Sequence, residues 1–155
     1  MTNPAILLIE DNPDDQALTL RALKKNNILN QVTVVGDGAE ALDYLFPADR
    51  ADPADGVGEE LPGLILLDLK LPKVDGLEVL RRIRADERTQ IIPVVVLTSS
   101  KEEEDILRSY HTGANGYVRK PIDFSDFSDA IKTVGMFWLL LNEAPPRVRP
   151  SADPG

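Results

Sequence analysis

The sequence predicts an α/β domain built on a doubly wound parallel sheet, with helices covering both faces of the sheet. Short apolar runs alternate along the chain with segments whose apolar residues recur at helical spacing. Apolar runs of this length, bounded by turn signals, are typical of strands that are buried on both faces. The length of 155 residues is enough for one domain with one sizeable core.

Each predicted strand is followed by a predicted helix. The strands are expected at Ala5 to Ile9, Val32 to Val35, Leu64 to Leu67, Val94 to Leu97 and Gly116 to Val118. The first helix should begin at Pro13, because Asn12 is a good N-cap and Asp14 and Asp15 suit the first turn. The last helix should begin near Asp123. This alternation predicts parallel strands joined by helical crossovers.

Two segments do not fit the alternation. Residues 47 to 62 are rich in Pro, Gly and acids and predict a long flexible loop between the second helix and the third strand. Residues 144 to 155, "APPRVRPSADPG", predict a disordered tail. We therefore expect a folded domain over residues 1–143 with an extended last helix, followed by the tail.

Composition narrows the functional classes. The formal net charge of −9 argues against nucleic acid or an anionic membrane as the primary partner. The chain has no cysteine, which excludes disulfides and thiolate chemistry. The N-terminus lacks the pattern of a signal peptide, and no segment has the roughly 20 apolar residues of a membrane span. These features predict a soluble, cytoplasmic protein.

Polar side chains follow the predicted strands at the point where each strand ends. Glu10 and Asp11 follow the first strand, Asp68 the third, Thr98 the fourth, and Lys120 the fifth. In open parallel sheets the functional crevice lies at the carboxyl ends of the strands. Each residue alone has an ordinary explanation, such as a helix cap, a turn or a surface lysine. Their shared position predicts one site.

The chemistry of such a site follows from its charges. Carboxylates gathered at one edge repel each other unless a cation or protons relieve the repulsion. All-oxygen ligands favour a hard ion, which predicts Mg²⁺. A metal, the Lys120 ammonium and the Thr98 hydroxyl around Asp68 would suit a phosphoryl group, and an Asp carboxylate can accept one as an acyl phosphate.

Longer motifs around these residues are similar to those of a known family. The segments "LLIEDNP", "LILLDLKLPKVDGLEVL", "VVVLTSS" and "GYVRKPID" resemble the receiver domain of two-component response regulators, over nearly all of residues 5 to 143. The resemblance implies a flavodoxin-like (βα)5 fold with strand order 2-1-3-4-5.

The resemblance also implies a role for each site residue. Asp68 would be the phosphoacceptor, and Thr98 and Lys120 would contact the phosphoryl group. Tyr117 would be a switch residue that moves together with Thr98. The metal ligands would be Glu10, Asp11, Asp68 and the backbone carbonyl of Lys70. The bond from Lys120 to Pro121 would be cis. The Lys70 side chain would flank the phosphoryl site, and we hypothesise that it affects the lifetime of the acyl phosphate.

Receivers of this kind imply a sensor histidine kinase as partner and a phosphohistidine as donor. The domain would catalyse only its own phosphorylation and slow hydrolysis. We expect no output domain after the fifth helix, so signalling would proceed by conformational switching and protein contact. The alternative is a receiver-like module that binds or dimerises without phosphate turnover, against which the complete set of site residues argues.

The predicted last helix ends in an unusually apolar segment. Residues 136 to 141, "MFWLLL", are apolar on every face, so one sheet surface can cover only part of them. We expect a homodimer through Phe137, Trp138, Leu140 and Leu141, with deeper packing inside one monomer as the alternative. The segment "SYHTGANGYVRKP" and the "FW" ending resemble regulators that pair with phytochrome-type kinases, in which dimers form through the region from the fourth to the fifth helix.

Three other classes fit less well. A flavodoxin would need a loop rich in Ser, Thr and Gly after the first strand, but that loop is "EDNPDD". A phosphatase with an Asp nucleophile would usually carry a second acid at the position of Lys70. A P-loop NTPase is excluded because the Gly-Lys-Ser/Thr loop is missing.

Overall fold

The computed structural model describes residues 5–47, 61–99, 103–120 and 123–141. Most of the predicted loop at 47–62, the predicted tail at 144–155 and Pro121, whose preceding bond was predicted to be cis, lie outside these residues. Among the described helices, none is both long enough and apolar enough to cross a bilayer.

Strands and helices alternate as predicted. The strands are β1 Ile6–Ile9, β2 Val32–Val35, β3 Leu64–Leu67, β4 Val94–Thr98 and β5 Gly116–Arg119. The helices are α1 Pro13–Lys25, α2 Gly38–Leu45, α3 Gly76–Ala85, α4 Glu103–Thr112 and α5 Phe124–Gly135, and a π-helix, Met136–Leu141, continues from α5. The start of α1 is as predicted, since the Asn12 side chain accepts hydrogen bonds from the backbone amides of Asp14 and Asp15.

The strands form one parallel sheet in the order β2-β1-β3-β4-β5. This confirms the flavodoxin-like order and the doubly wound sheet. The strand order reverses between β1 and β3, since the chain first extends the sheet to one side with β2 and then to the other with β3. That reversal is where open α/β sheets form a crevice beyond the carboxyl ends of their strands.

The two faces of the sheet carry separate cores. Alternate residues of a strand point to opposite faces, so Leu7 and Leu8 belong to different cores. The core that contains Leu7 also includes α2 and α3 residues, namely Ala41, Leu45, Val79, Leu80 and Ile83. The core that contains Leu8 includes α1 and α5 residues, namely Ala22, Leu23, Phe127 and Ile131. Burial on both faces explains why the strands are apolar without alternation.

The end of the last helix differs from a simple α-helix. The apolar stripe of α5 and the π-helix packs on the sheet: Phe127 and Ile131 are buried in the core, and Val134 and Trp138 lie against it. Beyond Gly135 the chain continues as the π-helix. A Cβ on Gly135 would lie 2.2 Å from a methyl carbon of Ile28, so a larger residue there would force the Ile28 side chain, in the segment after α1, to move.

Candidate functional site

The predicted site residues meet at the carboxyl edge of the sheet. The register pairs Ile9 with Leu67 and Thr98 with Arg119, so the residues that end or follow these strands lie side by side. The backbone amide of Asp68 donates to the carbonyl of Ile9 at 3.0 Å, and that of Lys120 donates to the carbonyl of Thr98 at 2.8 Å. The strands therefore act as rigid supports for the polar residues at this edge.

The carboxylates of Glu10, Asp11 and Asp68 form a cluster, with one oxygen from each lying within 4.8 Å of the others. Glu10 and Asp68 are buried, with exposed fractions of 2% and 8%, whereas Asp11 is exposed. Close carboxylates of this kind repel each other unless positive charge lies between them. The hard oxygen donors and their spacing fit a divalent cation. Because Asp11 is exposed, solvent reaches this side of the cluster.

Lys120 already supplies positive charge to this cluster. Its ammonium donates hydrogen bonds to Glu10 and to Asp15, with 2.9 Å between Nζ and Asp15 Oδ2. Its distance to Asp68 Oδ2 is 3.5 Å, which is within ion-pair range. The Lys120 side chain is only 11% exposed, so these charges interact where solvent screens them weakly.

The pKa values reflect this crowding. Burial raises the pKa of Glu10 to about 7, since it outweighs the hydrogen bond from Lys120, and the Asp68 charge adds to the rise. Burial lowers the pKa of Lys120, but hydrogen bonds to Glu10 and Asp15 and the charge of Asp68 outweigh it, so this pKa lies above its usual value. Lys120 is therefore held as a charged ammonium, and the raised pKa of Glu10 reflects the cost of holding a negative charge in this buried position.

The backbone around Glu10 is fixed by the start of α1. The amide of Asn12 donates to Glu10 Oε2 at 3.3 Å, and the side-chain amide of Gln16 donates to the Glu10 carbonyl at 2.6 Å. The same Asn12 caps the helix. One short turn therefore orients both the buried acid and the first turn of α1.

The loop after Asp68 passes close to its backbone. A Cβ on Gly76 would lie 2.4 Å from the carbonyl oxygen of Asp68, so the loop can close this tightly only with glycine at that position. The backbone amide of Lys70 lies 3.4 Å from Asp68 Oδ1, while the Lys70 side chain extends to Asp105 of α4, with 3.7 Å between Nζ and Oδ2. Lys70 thus lies beside the carboxylate, and its charge is directed towards α4.

The two predicted switch residues lie on the neighbouring strands. Thr98 is fully buried at the end of β4, and Tyr117 is half-buried in β5 with its Cα paired to that of Val96. Both residues interact with other groups. His111, the single histidine of the chain, is exposed in the last turn of α4.

Sequence reasoning missed two contacts of the site. Asp15 was recognised only as a first-turn acid, and Asp105 was not singled out. Asp15, Thr19 and Ala22 follow helical spacing, and the burial of Thr19 and Ala22, which only the structure shows, identifies this face of α1. That spacing places Asp15, and not Asp14, on the side of α1 that faces the sheet.

The predicted dimer residues are described only in part. Phe137 is 47% exposed, and its ring meets that of Trp138 edge to face, with 5.0 Å between the centroids. Trp138 and Leu139 are partly buried against the core on the α1 and α5 side. The side chains of Leu140 and Leu141 lie outside the described part of the structure.

Solved structures resemble this chain along nearly its whole length. The phosphorylated cyanobacterial phytochrome response regulator RcpA is 38% identical and superimposes with a TM-score of 0.83, over 93% of this chain and 99% of that chain. The bacteriophytochrome response regulator RtBRR is 51% identical with a TM-score of 0.70, over 94% of this chain and 86% of that chain.

A relative from Synechocystis is similar to this chain both in sequence and in its solved structure. Response regulator Rcp1 is 36% identical over 140 residues, which cover 89% of this chain and 92% of Rcp1. A crystal structure of its Mn²⁺-bound form superimposes with a TM-score of 0.78 at 35% identity, over 92% of this chain and 99% of that chain. The sequence model of the response regulator receiver domain matches residues 6–132. The chain therefore belongs to the response regulator receiver domain family.

Proposed function

We propose that this receiver accepts a phosphoryl group on Asp68 from a phosphohistidine of a sensor histidine kinase. The observation that supports this most directly is the placement of Asp68 at the end of buried β3, with Lys120 Nζ at 3.5 Å and with Glu10 and Asp11 beside it. A carboxylate in this position has a cation next to it, which favours its attack on a charged phosphoryl group.

The metal in this proposal is Mg²⁺. Glu10, Asp11, Asp68 and the backbone carbonyl of Lys70 would hold it, which is a donor set of oxygen atoms alone. When bound, the ion would neutralise negative charge on the phosphoryl oxygens. Support comes from the fit of the acid cluster to a hard divalent cation and from the Mn²⁺-bound form of the relative Rcp1.

The transfer itself needs no other cofactor. A carboxylate oxygen of Asp68 forms a bond to phosphorus while the bond from phosphorus to the imidazole nitrogen breaks, and the imidazole leaves with the bonding electron pair. Lys120 holds positive charge beside the developing acyl phosphate, and the Thr98 hydroxyl donates to a phosphoryl oxygen. Water would later form a bond to phosphorus while the bond from phosphorus to the Asp68 oxygen breaks, which releases phosphate and a proton and returns Asp68 as a carboxylate.

The signal would then pass to the face formed by α4, β5 and α5. Thr98 ends β4 and Tyr117 lies on the adjacent β5, and we propose that Thr98 would shift towards the phosphoryl group and Tyr117 would turn inward with it. This face carries the exposed Leu107 and Tyr110 of α4. We expect it to contact partner proteins in a manner that depends on phosphorylation.

The partner kinase in this proposal is of the phytochrome type. Support comes from two similar proteins, the phytochrome response regulator RcpA and the bacteriophytochrome response regulator RtBRR. Each similarity covers more than nine-tenths of this chain. Phosphohistidine is made from ATP, so the proposal includes a cytoplasmic location. It also includes a receiver over residues 1–143 and a disordered tail at 144–155.

A homodimer through the last helix completes the proposal. Phe137 is exposed beside Trp138, and the proposed interface extends to Leu140 and Leu141. Sedimentation at tens of micromolar, with and without beryllofluoride, should show a dimer in at least one state. The variant Phe137→Ser should shift it towards monomer, while Ser125→Ala, an exposed change on α5, should not. A monomer under both conditions would contradict the dimer.

The phosphoacceptor is tested by incubation with Mg²⁺ and acetyl phosphate, followed by intact mass measurement. The wild type should gain one phosphate, and Asp68→Asn should gain none because an amide cannot attack phosphorus. An equal gain of mass in Asp68→Asn would show that the phosphorylated residue is not Asp68. If the wild type gains none and binds no beryllofluoride, the alternative of a binding or dimerisation module without phosphate turnover is correct.

A further inference from the structure

Asp15 is a fourth acid at the site, in addition to the three that fit a metal. Its Oδ2 accepts a hydrogen bond from Lys120 Nζ at 2.9 Å, which is shorter than the 3.5 Å from Nζ to Asp68. The Asp15 side chain is 33% exposed, whereas Lys120 is 11% exposed. The contact joins the first turn of α1 to the end of β5, two segments separated by 105 residues in the chain.

The position of Asp15 is fixed by its own helix. Asn12 Oδ1 accepts a hydrogen bond from the Asp15 amide at 3.3 Å, and the Thr19 hydroxyl donates to the Asp15 carbonyl at 2.9 Å. Thr19 is buried, so this side of α1 is held against the sheet. Asp15 therefore presents its carboxylate to Lys120 from a rigid support.

Lys120 and a divalent cation would compete for the carboxylate of Glu10, and this competition gives Asp15 a separate role. Glu10 accepts a hydrogen bond from Lys120, and it also belongs to the cluster of acids that fits a divalent cation. A carboxylate that ligates a metal has less charge to offer an ammonium. Lys120 would then depend on its other acceptors to stay at the site, and Asp15 lies outside the metal-fitting cluster.

We propose that Asp15 is a positioning residue that holds the Lys120 ammonium beside Asp68 when a divalent cation occupies Glu10. This inference rests on the proposed function of Asp68. In the reaction with acetyl phosphate, a carboxylate oxygen of Asp68 bonds to phosphorus, the bond from phosphorus to the acetate oxygen breaks, and acetate leaves with the electron pair. Asp15 touches none of the reacting atoms and acts through Lys120.

The chain offers a matched control for this role. Asp14 and Asp15 are neighbouring acids in the first turn of α1, and Asn12 caps the backbone amide of each. Asp14 is exposed and has no described contact with Lys120. Asp15→Asn and Asp14→Asn therefore remove the same charge from the same helix turn, and only the former removes one of the charged acceptors of Lys120.

The first measurement is the rate of mass gain with acetyl phosphate at saturating Mg²⁺. We expect Asp15→Asn to be roughly tenfold slower than Asp14→Asn, the size expected for loss of a charge-assisted hydrogen bond. Asp15→Glu, which retains the carboxylate, should recover most of the rate. Equal rates for Asp15→Asn and Asp14→Asn, or equal losses in Asp15→Asn and Asp15→Glu, would overturn the proposal.

The second measurement is calorimetric Mn²⁺ binding, which needs no phosphoryl transfer. Without Asp15, Lys120 competes more strongly for Glu10, so Asp15→Asn should bind Mn²⁺ more weakly than Asp14→Asn, by about threefold. Equal affinities would count against the role of Asp15. If the wild type gains no phosphate at Asp68, the proposed function fails and this inference fails with it. If the wild type is phosphorylated and Asp15→Asn matches Asp14→Asn, only this inference fails.

Discussion

Lys120 and Arg84 are two largely buried cations at opposite ends of the sheet. Lys120 follows β5 at the carboxyl edge, where its ammonium contacts the carboxylates of Glu10, Asp15 and Asp68. Arg84 lies in the last turn of α3 at the amino edge, where the acceptors of its guanidinium among the described residues are all neutral. These are the carbonyls of Gly113 at 2.8 Å, Gln90 at 3.0 Å and Ile92 at 2.8 Å, and the side-chain oxygen of Asn115 at 2.7 Å.

The difference lies in the charge that surrounds each cation. The acceptors of Arg84 are neutral and rigid, so the guanidinium ties loops together and leaves no negative charge for another ion. Around Lys120, the carboxylates outnumber the ammonium, and Asp11 lies nearby. That surplus can be relieved by a proton or by a further cation. A cation among neutral acceptors therefore indicates structural stabilisation, whereas a cation among excess acids indicates a site that exchanges ions.

The largest effect should come from Lys120→Met. This change removes the ammonium beside Asp68, and we expect acyl phosphate formation to fall by roughly a hundredfold or more, as when a charge-stabilising group is removed from an active site. Intact mass against time measures it. Lys132→Met, an exposed change on α5, serves as the control for charge. An unchanged rate of acyl phosphate formation in Lys120→Met would contradict a functional role for Lys120.

Arg84→Met should affect stability and leave chemistry intact. We expect a loss of about 2 to 3 kcal/mol in the free energy of unfolding, because several backbone carbonyls lose a hydrogen-bond donor. Urea unfolding measures this loss, and folded protein should still gain phosphate at the wild-type rate. Arg82→Met is the matched control, since Arg82 is 55% exposed and pairs with Glu78 at the surface. Equal losses in the two variants would contradict the structural role.

A smaller effect is expected from Gly113→Ala. Gly113 has a φ of +116°, and a Cβ there would lie 2.8 Å from Arg84 Cγ. We expect destabilisation of about 1 to 2 kcal/mol from the backbone strain and the displaced arginine. Gly116→Ala is the control, because its Cβ would meet Val95 at an ordinary 3.7 Å. If both changes cost the same in urea unfolding, the tight packing around Arg84 is not what requires glycine.

The smallest effect should come from Lys70, whose pairing with Asp105 holds its charge towards α4. We expect Lys70→Ala to shorten and Asp105→Asn to lengthen the life of the acyl phosphate, each by about two- to fivefold, as for an ion pair whose lysine is exposed to solvent. In the Asp105 variant the lysine is free to turn towards the phosphoryl group and hinder water. Loss of bound phosphate, followed by intact mass after donor removal, measures both. A rate in Lys70→Ala identical to wild type would refute the hypothesis.

Local sequence patterns predicted the sheet and the edge at which the site forms. The apolar runs of β3 and β4 identify buried strands, and Asn12 followed by Pro13 identifies the start of α1. Because parallel strands end at one edge, the meeting of Glu10 with Asp68 followed from strand ends alone. These features depend on neighbours in the chain, which a sequence shows directly.

The contacts that distinguish similar residues could not be predicted in the same way. Asp14 and Asp15 are equivalent as first-turn acids until the contact of α1 with the sheet is known, and the pairing of Lys70 with Asp105 joins segments 35 positions apart. Arg84 resembles its neighbours Arg81 and Arg82 in sequence, but only Arg84 points to the amino edge. The contacts of such long side chains depend on helix rotation and loop paths, which are tertiary properties.

The intrinsic fluorescence of Trp138 reports on the environment of the last helix. It is the only tryptophan of the chain, and it lies partly buried against the core beside the exposed ring of Phe137. Indole emission depends on contact with water, so the intrinsic fluorescence of the unmodified protein reports on this one position. Association through the helix would shift the emission to shorter wavelength, and a titration of protein concentration would yield a dissociation constant without any attached dye.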